Sequence, residues 1–515
     1  MSAGGKCVVC SQHTERKCGG CKSVFYCGRE HQKSHWSTHR PECRPVRVHE
    51  HPVLGRHLVA TRDIKQGELI IRESPLVIGP KTVSTPICLG CCKPADLSYP
   101  CPGCAWPLCG VACSSSAAHQ AECDLMQAKG YRAEITVDNQ PLPDYAFITP
   151  LRALLLPPNK LKVFRTLQSH LEKRKKTSLY QVLKFNVAGF LQNRLKMNLS
   201  DEEILEACAI LDTNSFEMRS GRSRFRGLFP LVSMMAHNCV PNTRHTFDAT
   251  NAILLYATED IAKGKNITAT YTQPFWSTSQ RRSHLRAAKC FDCTCERCSD
   301  PEEKGIFVSA VRCDEDECEG FMLSRSPLED DASWQCNKCG LEAPAKQIAL
   351  YNQSIIEEID AMDKRGPENL ENFLEKYKNV LHETNGFVLQ VKLALAQIYG
   401  SAAYNCSLNE LSEERINKKI DIVEELLQVL TVLEPGMSRS RAQLQIELQP
   451  AKVHQAKLEF EAKKLSKDSA KGILNEAIVE LKSAEEILKT DHDLAGKAKK
   501  SLEQVLAMSK MLECA

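Results

Sequence analysis

The chain has 515 residues, 43% hydrophobic and 25% charged. That is an ordinary globular balance, long enough for roughly two to four domains. Lys and Arg exceed Asp and Glu by 67 − 64 = +3, so no global charge calls for nucleic acid. No apolar run reaches the roughly 20 residues of a membrane helix, and the first residues, MSAGGKCVVC, lack the apolar core of a signal peptide. These features point to the cytoplasm or nucleus, where thiols stay reduced and 26 cysteines mean metal before disulfide.

The first fifty residues carry nine Lys/Arg against four Glu, which reads as a solvated face or a preference for an acidic partner. They also hold four close pairs of candidate ligands: Cys7 and Cys10, Cys18 and Cys21, Cys27 and His31, His39 and Cys43. Zinc takes four N/S donors in a tetrahedron, and a gap of two or three residues lets both members of a pair reach one ion. Eight donors therefore predict two ions. The pattern, with Tyr26 before Cys27 and Trp36 three before His39, resembles a MYND finger. That resemblance implies that pairs one and three share one zinc and pairs two and four the other. His31 stands where the family usually has cysteine, and His35 is a rival ligand of poorer spacing.

Segments HLVATRDI and GELIIRESPLVIG read as short strands about a Lys65-Gln66-Gly67 turn. A second set of pairs follows: Cys88 and Cys91, Cys101 and Cys104, Cys109 and Cys113, His119 and Cys123. It repeats the first plan and predicts two more ions, with Cys92 spare. Residues 150–215 read as helices, including KLKVFRTLQSHLEKRKK and DEEILEACAILDTNSF. RSGRSRFRG, Arg219 to Gly227, has four arginines and little aromatic interleaving. It reads as an exposed loop or the lining of a cleft for an acidic peptide, and direct DNA binding is not expected.

SMMAHNCVPN, Ser233 to Asn242, is followed by NAILLYATEDI and NITATYT, which look like a strand pair. Cys293, Cys295 and Cys298 then leave a tetrahedral zinc one ligand short, and Cys239 is the candidate fourth. Cys313, Cys318, Cys336 and Cys339 read as a further knuckle. Cys92, Cys208, Cys290, Cys406 and Cys514 are left over. With closed N/S shells these zincs are structural. From about 346 onward the sequence is helical: apolar residues recur at three- and four-residue steps, and breakers such as Gly366-Pro367, Asn385-Gly386 and Pro435-Gly436 punctuate them. This reads as stacked helical hairpins, TPR-like, or as a plain bundle.

This order of cysteine cluster, AHNCVPN, TATYT and C-x-C-x2-C resembles the SET-and-MYND family of protein-lysine methyltransferases, which use S-adenosylmethionine, across essentially the whole chain. The extra N-terminal finger resembles its arthropod-specific branch. The resemblance implies an α+β fold with four parts. A MYND-type finger spans 1–46. A split, strand-rich SET domain spans 47–299, with the 88–123 cluster inserted and a post-SET segment at 290–299. A zinc-knuckle linker spans 300–345 and an all-α TPR-like domain 346–515. It also places Gly55, Arg56, His237 and Phe291 on the cofactor, with Phe291 stacked on adenine. Tyr271 and His237 fall at the reacting centre, Cys239 on the post-SET zinc, and Asn242 in the knot that holds the site. A peptide or protein bearing a lysine is the implied substrate, and proline-rich peptides are implied partners of the MYND fingers.

Four positions depart from the family pattern. His57 replaces a second glycine, Ala236 an asparagine that would bond the cofactor, Asn238 a serine, and Lys289 a channel tyrosine. Two readings follow: a lysine methyltransferase, or an adaptor with a weakened site that holds partners through its fingers and helical domain.

Overall fold

The computed structural model describes residues 4–19, 24–43, 45–82, 84–134, 143–221, 223–491 and 493–514. Short elements dominate the first 345 residues and long helices the rest. β1 (Val46–His51) and β2 (Gly55–Ala60) form an antiparallel hairpin in which His49 faces His57. β3 (Leu69–Glu73) and β4 (Val77–Pro80) follow but join different sheets. β5 (Ser215–Ser220) and β6 (Ser223–Leu228) complete a sheet of order β4-β6-β5. The arginine-rich stretch expected as a loop is therefore largely strand. There Arg226 pairs with Asp212 at 2.8 Å, and Arg219 lies 3.2 Å from Glu217.

β7 (Ala236–His237) is followed by β8 (Thr243–Phe247), β9 (Ile253–Ala257) and β10 (Thr268–Ala269). The predicted pairing of the last two is not observed. β9 lies between β8 and β3, whereas β10 runs parallel to β7. The apolar alternation marked strands but carried no information about partners, because partner choice is made by tertiary packing. Ile253 and Leu255 of β9 share one core with Leu58, Ile64, Trp106, Tyr145 and Phe147, which ties the strands to the second cysteine cluster.

Four helices position the site. α1 (Ala117–Ala128) carries His119 and Cys123, and α2 (Ile148–Leu154) packs beside it. α3 (Asp201–Asn214) starts at a capping box in which Ser200 and Glu203 exchange hydrogen bonds. α4 (Thr278–Lys289) starts at a second such box, Ser277 with Gln280, and stops where Cys290 turns left-handed at φ 61°. The helix predicted over KLKVFRTLQSHLEKRKK breaks into Pro158–Arg165 and Leu171–Arg174. The break at 166–170 brings Arg174 onto the end of α4, where it donates to Ala288 O at 3.0 Å.

Seven helices close the chain: α5 (Ala345–Ala361), α6 (Glu368–Tyr377), α7 (Gly386–Ile398), α8 (Glu413–Leu433), α9 (Arg439–Glu461), α10 (Lys467–Leu488) and α11 (Ala495–Cys514). From α6 onward each packs on the next, as short breaks between amphipathic helices require. No helix among the described residues is long and apolar enough to cross a membrane. The helical region docks on the strands through backbone groups. Arg244 donates to Ile487 O at 3.2 Å, and Met437 N–H donates to Thr258 O at 2.8 Å.

Candidate metal centres and active site

Among the described residues, groups of four N/S donors come together with ligand atoms within 4.8 Å of one another. They include Cys7, Cys10, Cys27 and His31; Cys88, Cys91, Cys109 and Cys113; Cys101, Cys104, His119 and Cys123; Cys239, Cys293, Cys295 and Cys298; and Cys313, Cys318, Cys336 and Cys339. Pairs one and three meet, as do two and four. Of the remaining set, Cys18 and Cys43 lie 3.5 Å apart and His39 is buried, while Cys21 falls outside the described residues. Four soft donors converging on one point is the shell zinc takes, so these residues fit the ion.

His31 and His119 turn different nitrogens to their clusters. His31 presents Nδ1, 3.0 Å from Cys27 Sγ, while its rival His35 instead bonds the Tyr26 hydroxyl at 3.0 Å. His119 presents Nε2, 3.3 Å from Cys101 Sγ, and turns Nδ1 to Glu122 at 2.9 Å. Arg152 grips both Glu122 oxygens at 2.6 Å and donates to Ile78 O and Leu89 O. A carboxylate on the far nitrogen fixes the tautomer that leaves Nε2 free for metal. Glu122 and Arg152 were missed from sequence. Glu122, three residues after His119 on one helix, was the visible signal.

Cys239 reaches across 59 positions to within 3.5 Å of Cys298 Sγ. Four thiolates on a divalent ion make a dianionic centre, and a cationic triad lies against it. Arg281 stands 3.5 Å from Cys298 Sγ, and both Arg281 and Arg297 bond Glu303, all three buried.

The same segment builds the reacting centre. Asn242 accepts from Thr268 N–H at 2.8 Å and donates to Asn266 O at 2.8 Å, locking the β7 segment to the β10 segment. Asn238 accepts the Val240 N–H at 2.9 Å, a turn-forming bond that suits the position. His237 accepts the Tyr271 N–H at 3.1 Å on Nδ1 and donates from Nε2 toward Cys239 Sγ at 3.3 Å. Burial pushes its pKa down to about 4. Both ring nitrogens are thus committed within the protein, which removes His237 as a proton carrier and makes it a strut between the metal cluster and Tyr271. The Tyr271 hydroxyl donates to Met235 O, and burial pushes it up to about 12.

Phe291 leans on His237 with ring centroids 5.8 Å apart and stays half-buried. Gly55 has φ 65°, and nothing lies within 4 Å of where a side chain would start. This is open backbone that a ligand can approach. Arg56 reaches Thr166 O. His57, the next residue, turns to the opposite face of the strand, donates to Gly55 O at 3.0 Å and packs edge-on to His49 at 5.3 Å. The substitution there is absorbed by the hairpin. The half-buried ring of Phe291 and the open backbone at Gly55 are features that suit a nucleoside cofactor, whereas Ala236 has no polar side chain to offer one. Lys289 stands over the Tyr271 ring, 5.4 Å from its centroid, and donates to Thr213 O at 2.7 Å.

Two family models match: the MYND finger over residues 7–43 and the SET domain over residues 55–272. Isoform B of the SET domain-containing protein SmydA-8 from Drosophila melanogaster is 30% identical over 337 residues, covering 62% of this chain and 72% of that protein. Histone-lysine N-methyltransferase ASHR1 from Arabidopsis thaliana is 27% identical, covering 66% and 72%. Histone-lysine N-methyltransferase SMYD3 from Homo sapiens is 26% identical, covering 50% and 61%.

Proposed function

The chain belongs to the SET-and-MYND family, and on that premise we propose an S-adenosylmethionine-dependent protein-lysine N-methyltransferase that acts on a histone or another protein in gene regulation. Zinc is its structural metal. The observation that carries the reading is the convergence of Tyr271, His237 and Phe291 beside the cluster that Cys239 closes. The names of the plant and human relatives, both histone-lysine methyltransferases, support the reaction class. The four-part division at 46, 299 and 345, action in cytoplasm and nucleus, and proline-rich partners for the fingers belong to the same proposal.

When bound, S-adenosylmethionine supplies an electrophilic methyl group on a sulfonium. Phe291 would hold the adenine face, and the Gly55 backbone and Arg56 would flank the rest. The hydroxyl of Tyr271 and the Met235 carbonyl aim the acceptor amine, so catalysis is mostly positioning. His237 sets the height of Tyr271 through its backbone N–H. Burial at Tyr271 and the Lys289 ammonium over its ring both favour the neutral form of an incoming lysine, whose unperturbed pKa is about 10.4.

Calorimetry on zinc-loaded protein tests cofactor binding, and transfer of labelled methyl to histones and to a fractionated lysate tests the activity. Tyr271→Phe should lower transfer by roughly 10²–10³-fold while leaving the cofactor Kd unchanged. An equal loss in both would place Tyr271 in cofactor binding instead. Ala236 and Lys289 favour the second reading, an adaptor. That reading is preferred if purified protein binds no cofactor yet retains proline-rich peptides.

A further inference from the structure

We propose that Lys289 makes this site charge-selective: its ammonium disfavours a second positive charge at the reacting centre, so the site holds neutral S-adenosylhomocysteine more tightly than the sulfonium S-adenosylmethionine. The inference rests on the cofactor reading above and concerns the same pocket.

Lys289 is the last residue of α4, two before Phe291, and the left-handed Cys290 between them sends the two side chains to separate places. Phe291 goes to His237, whereas the Lys289 ammonium is fixed on the Tyr271 ring and on Thr213 O. A sulfonium held between Phe291 and Tyr271 would have this ammonium for a neighbour.

The surroundings do not cancel that charge. Arg174 lies on the same residue, donating to Thr213 Oγ1 at 3.0 Å, and Lys173 donates to Cys290 O at 2.8 Å. Among the described residues neither Lys289 nor Arg174 makes an ion pair. The carboxylate that faces this corner, Asp212, is held by Arg226 at 2.8 Å. His170 beside Arg174, and His284 on α4 itself, are both held below the usual histidine range, chiefly by burial, and so add no charge near neutrality. Burial, reinforced by Arg174, pushes the Lys289 pKa down to about 8. The ammonium is present at neutral pH and is lost as pH rises through that value, so the selectivity should be lost with it.

Calorimetry with S-adenosylmethionine and S-adenosylhomocysteine, on the zinc-loaded full chain at about pH 7 and about pH 9.5, reads the ratio of the two Kd values. The homocysteine form should bind on the order of tenfold more tightly at neutral pH, with the ratio falling toward one at the higher pH. Lys289→Met should bring the ratio near one at both. Lys289→Arg, which stays charged, should keep it at both. A ratio equal in all three proteins and flat with pH overturns the inference while leaving the cofactor reading intact. Binding of neither compound overturns the cofactor reading, and this inference with it. The wild-type pH series needs no variant to fold.

Discussion

Glu122 shows how much a single buried carboxylate can decide. It sets the tautomer of His119 and is itself balanced by Arg152. With Arg152→Met, Glu122 loses its buried partner, and the chain should lose about 3–5 kcal/mol, read as a lower urea midpoint. Adding Glu122→Leu should recover part of that loss. Equal loss in single and double variants would mean that Arg152 acts through Ile78 O and Leu89 O alone. At this scale the sequence was a partial guide. Cysteine pairs two or three apart are local geometry, so Cys88 with Cys91 or Cys336 with Cys339 could be read directly. The face that His57 turns to, and the ring that Lys289 covers, depend on strand alternation and on where α4 stops. Those are settled only when the chain closes on itself.

Elements repeat that division. Helix ends were legible at breakers such as Pro435-Gly436, whereas the capping boxes at Ser200 and Ser277, and the helix that Ser277 starts, came only from the structure. The strand NITATYT was legible as a strand but not in its pairing, since β10 finds β7, a segment carrying too little apolar alternation to announce itself. The link between Cys239 and the 293–298 loop could be inferred because three thiolates demand a fourth. That link makes a clear test. Cys239→Ser should lower the zinc content by about one ion per chain, open the 290–299 segment to protease, and abolish cofactor binding, while the finger zincs remain. Protease resistance unchanged from wild type would show that the Arg281–Glu303–Arg297 triad holds the segment without the metal.

The whole molecule is joined where strands meet helices. Gly436 has φ 75°, and a Cβ there would lie 1.8 Å from Thr258 O. Gly436→Ala should cost at least about 2 kcal/mol and free the helical region to early proteolysis. Gly472→Ala, in the middle of α10 with nothing within 4 Å, should instead stabilise by up to about 1 kcal/mol. Similar melting of the two variants would mean that the junction yields without loss. The junction matters to the site because β8, which carries Arg244 to the Ile487 carbonyl, begins one residue after Asn242.

The Cys239 clip also sets a timetable for synthesis. Cys239 is made 59 residues before Cys298. At roughly 5–20 residues per second it waits about 3–12 s for its last partner. During that interval the N-terminal fingers can already fill with metal, but His237 has no closed cluster to lean on. The reacting centre therefore closes after the fingers and before the Cys313–Cys339 cluster, so a shortage of zinc during synthesis should leave it open while the fingers are already filled.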